Sequence, residues 1–359
     1  MRSVWLAIPL MAASANAGAY DIKTDTPVLK LAAIHEMMTR AAIACDARAA
    51  AVGPLEKPSN CWNPGINAEA ASVRKEDITP QEGAVRWSDD PTRQGVASSY
   101  AKLGLSLAKG CKDHVQTYKA VDSAGLLCSS HYGRLQFLHA MRGIDDSSSA
   151  DTRKRILAWA RFAYEVASGD DSLIEQSLCD AAKGRDGLED ALAFDNPRKC
   201  YRRRGFLGLF GNYPAYTVRT LFTLSCKGVG SSVRCNETRS GPKGREEAML
   251  AATGSLLHLI QDSYSQAHNS RSTGAPIDPK GPFDPKIVCR LPTEFFDYSG
   301  QDKDVHGAAD HQANLDPSCS HVGATDDPVT ASAILLWHLR TGQSADSFVA
   351  YLKAKVIGD

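Results

Sequence analysis

Apolar residues recur at intervals of three and four over several stretches of the chain. Leu31, Ile34, His35, Met38 and Ala42 form one such series, and Ile156, Trp159, Ala160, Ala163, Tyr164 and Ala167 form another. That spacing places them on one face of an α-helix. Helical stretches are also expected at about 97–109, 131–141, 171–183, 213–224, 245–267 and 329–339. Strict alternation, the mark of a half-buried strand, is scarce. The segments 54–92 and 270–302 are rich in Pro, Gly, Asp and Asn and read as long loops. No composition break marks a linker. The expectation is therefore an all-α protein, a single helical domain with long loops.

Composition narrows the class further. The 359 residues carry 41 Lys+Arg against 41 Asp+Glu, so the clear basic excess typical of proteins that neutralise duplex phosphates is missing. No stable nucleic-acid partner is expected, and the chain reads as a monomer. A basic start at Arg2 is followed by a short apolar run from Val4 to Ala15 that ends in small residues, the layout of a signal peptide. Cleavage after Ala17 or Ala19 would leave a mature chain beginning at Gly18 or Tyr20. The run is shorter than the ~20 residues that span a bilayer. A secreted or periplasmic protein is expected, with the signal peptide over 1–19 and the functional domain over 20–359.

All ten cysteines (Cys45, Cys61, Cys111, Cys128, Cys179, Cys200, Cys226, Cys235, Cys289 and Cys319) follow the cleavage site, and none sits in a Cys-x-x-Cys spacing. Disulfides that pin loops are the first expectation. Cys45 with Cys61, Cys111 with Cys128 and Cys226 with Cys235 are close in sequence, but spacing alone leaves the pairing open.

The chemistry concentrates in Gly254 to Arg271. His258 and Asp262 are one helical turn apart and share a face, which suits an imidazole and a carboxylate on one Zn²⁺. His268 follows near the end of the expected helix. Taken alone, a pair at this spacing reads first as a hydrogen-bonded core pair; its recurrence downstream is what favours a metal. The spacing recurs at His306 and Asp310, with His311 adjacent, where a solvated helix start is the plain alternative. His35 lies on the apolar side of its helix, as a metal ligand or a core histidine. Asp89 and Asp90 sit at a turn limited by Pro91, and His131 opens a further apolar stretch. His139 reads as packing; His114, His321 and His338 show no ligand spacing.

Taken in order, these motifs resemble the zinc-dependent phospholipases C and the related fungal-type single-strand nucleases, which are helical secreted phosphodiesterases. The resemblance runs through Ile34-His35-Glu36, Trp87-Ser88-Asp89, Ser130-His131-Tyr132, His258-x-x-x-Asp262-x5-His268, His306-x-x-x-Asp310 and the closing stretch Thr330 to Trp337. It implies a phospholipase C/nuclease-like fold and two or three Zn²⁺ per chain. One zinc would be held by Asp89, His131, His258 and a bridging Asp262. A second would use His268, His306 and Asp310. A third would use His35, Asp262 and the amino end of the mature chain. The family begins on Trp, where this chain would offer Tyr20 or Gly18. Asp310 is closer to the nuclease version than to the phospholipase one, and the interval from His268 to His306 is longer than in compact members. Residues 184–244 resemble an insertion, with Arg198, Lys199, Arg202, Arg203 and Arg204 followed by Phe206, Leu207, Leu209 and Phe210. Such a segment suits an anionic membrane surface, or packs its Phe residues inward around Cys200.

The resemblance thus implies a phosphoric diester hydrolase of the phospholipase C type. It would cleave membrane glycerophospholipid, phosphatidylcholine first, into diacylglycerol and a phosphorylated head group. Asp89 would orient the attacking water. A single-strand nuclease is the nearest alternative, and a non-catalytic zinc- or lipid-binding protein is the alternative of another class.

Overall fold

Every residue from Gly254 to Asp262 is buried, polar ones included, which makes this helix end the centre around which the other elements pack. The computed structural model describes residues 33–63, 65–93, 125–194, 200–203, 212–227, 234–237, 241–265, 267–271, 290–297 and 325–359. In chain order the helices are α1 (Ile34–Val52), α2 (Ile66–Ser72), α3 (Pro80–Gly83), α4 (Gly125–Tyr132), α5 (Ser149–Ala167), α6 (Asp171–Ile174), α7 (Leu178–Ala182), α8 (Val218–Thr223), α9 (Gly241–Asp262), α10 (Pro328–Arg340) and α11 (Ala345–Lys355). Short 3₁₀ turns cover Ala84–Trp87 and Gln136–His139. Antiparallel pairs join 201–203 to 212–214, 224–227 to 234–237, and 269–270 to 294–295. The described chain is mostly helical, as its periodicity predicts.

Helix starts follow local chemistry. Asp327 caps α10 by accepting from the Thr330 amide, with Pro328 in the first helical position. Ser148 and Ser344 cap α5 and α11 in the same way. The apolar face of α5 buries Ile156, Trp159, Ala160, Ala163, Tyr164 and Ala167, as expected. Trp159 stacks on Trp87, with Phe222 against both, and donates its indole N–H to Ser255 Oγ at 3.1 Å. One apolar cluster extends from Ala33 to Ile357 and takes in Leu188, Leu192, Tyr216 and Phe222 from within 184–244.

Several expected boundaries move, each for a tertiary reason. The 131–141 helix is two pieces, because the chain turns tightly at Gly133, where a Cβ would lie 2.8 Å from Ser129 Cα. His131 therefore lies in the last turn of α4 and does not begin a helix. The 171–183 helix breaks at Ser177, which bridges to Thr217 while the Leu178 amide bonds Tyr216 O. In 213–224, the first residues pair as a strand and the helix starts only after the Thr217 cap. Helix α9 stops at Asp262, so His268 lies beyond it in a turn closed by Ser265 N–H to Asp262 O. The loop expected over 54–92 holds α2, α3 and the Ala84–Trp87 turn, and α11 carries no expectation above. The stretch 97–109 lies outside the described residues.

Disulfides join Cys45 to Cys61, Cys179 to Cys200 and Cys226 to Cys235. They fit an oxidising compartment. Two are the near neighbours in sequence; the Cys179–Cys200 pairing was not foreseen. Cys128 is also disulfide-bonded, while Cys111, Cys289, Cys319 and the signal segment lie outside the described residues. No described helix is long and apolar enough to cross a membrane.

Gly254 lets the Ala84 backbone lie directly against α9: a Cβ there would stand 2.0 Å from Ala84 O. Gly254→Ala must push the 84–90 segment, with Asp89, away from α9. Urea unfolding should show a loss of about 1–3 kcal/mol, the usual range for overpacking. An unchanged midpoint would contradict this account of the contact.

Candidate metal centre

The centre forms where five segments meet at the end of α9. Helix α1 supplies His35, the turn after Ala84–Trp87 supplies Asp89, the last turn of α4 supplies His131, the 136–139 turn ends on His139, and α9 supplies His258 and Asp262. His268 follows in the next turn. All are buried, with exposures of 0–7%. The resemblance named His35, Asp89, His131, His258, Asp262 and His268, and the fold brings these six together. His306 and Asp310, with His311 and the mature amino terminus, lie outside the described residues.

The donor atoms fall into three groups whose members lie within 4.8 Å of one another: His35, Asp89 and His258; Asp89, His131 and His139; and His139, His258 and Asp262. His139, expected to be packing, stands in two of them. Its signal was present: an imidazole inside the apolar run Phe137 to Met141 needs a polar partner. Ala140 beside it takes a left-handed φ of 50°, a conformation costing a non-glycine residue about 1 kcal/mol. Gln261 was also missed.

Hydrogen bonds to backbone and amide oxygens set which nitrogen of each ring carries a proton. Carbonyl acceptors place a proton on Nδ1 of His258 (to Val85 O, 3.0 Å), of His268 (to His139 O, 2.6 Å) and of His131 (to Leu127 O, 3.0 Å). Gln261 donates through Nε2 to Thr39 Oγ1, which turns its Oε1 to receive His35 Nδ1–H at 2.6 Å. In these four rings Nδ1 is thereby the nitrogen that carries a proton, which leaves Nε2 as the nitrogen a metal would take. His258 Nε2 points at Asp262 Oδ2 (2.9 Å) and at His139 Nδ1 (3.0 Å), and that His139 nitrogen is itself 3.0 Å from Asp262 Oδ2. With Nδ1 of His258 protonated, its Nε2 and Asp262 Oδ2 are both acceptors, and at 2.9 Å they repel unless a proton or a metal cation lies between them. Two ligands on a tetrahedral Zn²⁺ stand about 3.3 Å apart, given bonds near 2.05 Å, so the spacing fits a metal. His139 Nε2 and Asp89 Oδ2 have no hydrogen-bond partner among the described residues.

Without a metal, protons take the cation's part. Burial disfavours a charged His35, but the Asp262 carboxylate, 3.3 Å away, outweighs it and pushes the imidazole up to about 9. Burial also works against an ionised Asp262, yet the surrounding His258 and His268 rings hold its carboxyl well below the usual range. Burial, reinforced by His139, pushes His131 down to about 4, so that ring is neutral at pH 7. His338, also pushed down to about 4 by burial, sits apart among Phe348, Tyr351 and Trp337.

The turn carrying His268 is held by a buried cation. Arg271 lies over the Tyr264 ring and donates to the carbonyls of Ser263, Arg290 and Val356. These bonds tie the chain leaving α9 to the carboxyl-terminal segment, while His268 O accepts from the Phe296 amide.

No family model, curated protein or solved structure matches this chain.

Three outcomes are expected. His258→Ala and Asp262→Ala should each remove bound metal, read by elemental analysis of the folded variant; full metal in Asp262→Ala would contradict its place in the centre. A metal must also displace the His35 proton. Calorimetry at pH 7 in buffers of different ionisation enthalpy should therefore show about one proton released per chain. The sign for the metal-free protein follows from the raised value. His35 contributes its full stabilisation below pH 6.5 and loses it as pH rises through about 9. In chelator, Tm should fall over that window while metal affinity rises.

Proposed function

We propose that this chain is a secreted zinc-dependent phosphoric diester hydrolase of the phospholipase C type. The supporting observation is the convergence of buried imidazole lone pairs on two carboxylates, a donor set suited to Zn²⁺. Clustered zinc supplies a water ionised near neutral pH and a clamp for the phosphoryl oxygens. His35, His131, His258, His268, Asp89 and Asp262 would hold it, with His306 and Asp310 as the further ligands the resemblance implies.

The chain's own residues then do three things. The carbonyls of Val85, Leu127 and His139, with Gln261, keep four histidine rings in one tautomer and orientation. The aromatic stack of Trp87, Trp159 and Phe222 fixes the segment that leads into Asp89. Asp89 orients the attacking water, since a carboxylate has about four lone-pair directions and one that ligates still accepts a hydrogen bond.

Membrane phospholipid is the proposed substrate, with phosphatidylcholine first. Balanced charge and the basic, apolar stretch within 184–244 favour lipid. Trp87, part of the motif that leans toward nuclease, is buried in the aromatic stack, so in the nuclease reading base stacking falls to Tyr132 or Trp62, both half-buried.

Purified mature protein offered phosphatidylcholine vesicles and single-stranded DNA, with and without chelator, separates the readings. Diacylglycerol release that chelator abolishes and zinc restores is expected. Mononucleotide release would replace the lipid reading with the nuclease one, and bound metal without either product would make the centre structural. In Asp89→Asn, turnover should fall about 100-fold or more, the scale of a lost proton-handling group; a near-normal rate would remove Asp89 from that role.

A further inference from the structure

We propose that the cleft between residues 57–60, the start of α10 and the end of α11 is a second ligand site, fitted to a small zwitterion: a phosphate ester that also carries a cationic group. The site stands apart from the metal centre. None of its residues belongs to the three donor groups there, and it does not depend on the activity proposed above.

The cavity holds about 450 Å³, within the range of small-molecule sites. Lys57 lines it from the loop, Lys355 from the end of α11, and Thr325, Asp326 and Asp327 from the segment that enters α10. One wall is fixed in advance. The Cys45–Cys61 disulfide and the bond from the Cys61 amide to Thr330 Oγ1, at 2.9 Å, anchor the loop where it ends, so a ligand need order little chain.

Charge decides what fits. The Lys57 ammonium lies over the Tyr351 and Trp337 rings, at 5.3 and 5.9 Å, and neither Lys57 nor Lys355 has an ion-pair partner among the described residues. Two such cations at one cavity match a phosphate monoester, which carries about −1.5 to −2 at pH 7. The two carboxylates are not equivalent. Asp327 is saturated, since Oδ1 accepts from the Thr330 amide and Oδ2 from the Thr330 hydroxyl. Asp326 is held by the Tyr351 hydroxyl on Oδ2 at 2.8 Å and by the Tyr264 hydroxyl on its carbonyl at 2.5 Å, while its Oδ1 accepts no hydrogen bond from the described residues. A simple anion would meet Asp326 and a simple cation would meet the lysines; a molecule with both signs satisfies both. Thr325 points the same way. It is 2% exposed and its hydroxyl has no hydrogen-bond partner among the described residues, an arrangement that costs stability unless a ligand supplies one.

Such a group can come free in solution or as the head group of a membrane lipid, and the exposed Val52 and Leu55 shortly before Lys57 make the second source worth an arm of the test. The probe is phosphocholine, titrated by calorimetry against the whole protein. It should bind more tightly than inorganic phosphate or choline alone. Lys57→Met and Lys355→Met should each weaken it about tenfold, the scale of a lost hydrogen bond to a charged group. Asp326→Asn should weaken phosphocholine and spare inorganic phosphate. Thr325→Val should weaken phosphocholine with the Tm of the free protein unchanged or raised, because no hydrogen bond is lost. Undiminished binding in the folded Lys57/Lys355 double variant would overturn the proposal, since any phosphocholine held at the metal centre is untouched by those changes. Inorganic phosphate binding as tightly as phosphocholine would also overturn it. Phosphatidylcholine vesicles in a flotation assay form the second arm: capture that needs both lysines, without binding of free phosphocholine, assigns the ligand to a membrane, and failure of both probes overturns the site. Phosphocholine bound in this pattern without any hydrolysis would leave the site standing and count only against the activity.

Discussion

A carboxylate held away from water must be matched by positive charge. In this molecule Asp262 is fully buried at the end of α9, in a stretch from Gly254 whose residues are all buried, and four histidine rings approach it. A lone buried ion would cost several kcal/mol after relaxation. The arrangement is stable only when protons or metal ions stand among the rings. Much of the surrounding structure positions those rings: the glycine that admits the Ala84 backbone, the carbonyls that receive Nδ1 protons, and the arginine that holds the turn after α9.

Packing and chemistry are joined at α9. Its apolar residues Leu256, Leu257, Leu259 and Ile260 enter the core, while Ser255, His258, Gln261 and Asp262 on the same buried stretch each find a polar partner. Ser255 accepts from Trp159, so the aromatic stack beneath Asp89 and the helix bearing His258 share a hydrogen bond. The disulfide from Cys45 to Cys61 and the Thr330 bond to the Cys61 amide hold the far end of α1 against α10. Shifts in any of these elements therefore reach the centre through packed side chains.

How much was legible beforehand can be judged from particular residues. The His258 and Asp262 pair was readable because one helical turn fixes their relative direction whatever surrounds them. Asp89 and His131 were reachable only through resemblance to a family, since nothing in their local spacing specifies a partner. His139 was passed over because its separation from His131 matches no ligand pattern on one helix. The chain in fact breaks at Gly133, which puts the two rings on different elements. Gln261 carried no signal, as its role depends on Thr39 and His35, more than two hundred residues away in sequence.

The sequence by itself determined the helical class, the apolar faces of α1 and α5, the disulfide-bearing character and the shared face of His258 and Asp262. Each follows from periodicity or residue type within a few turns of chain. Tertiary structure alone decided where helices stop, which cysteine joins Cys179, which imidazole nitrogen carries a proton, and that His139 belongs beside Asp262. Those outcomes depend on carbonyls and carboxylates brought close from distant segments, and contacts of that kind leave no period in a sequence.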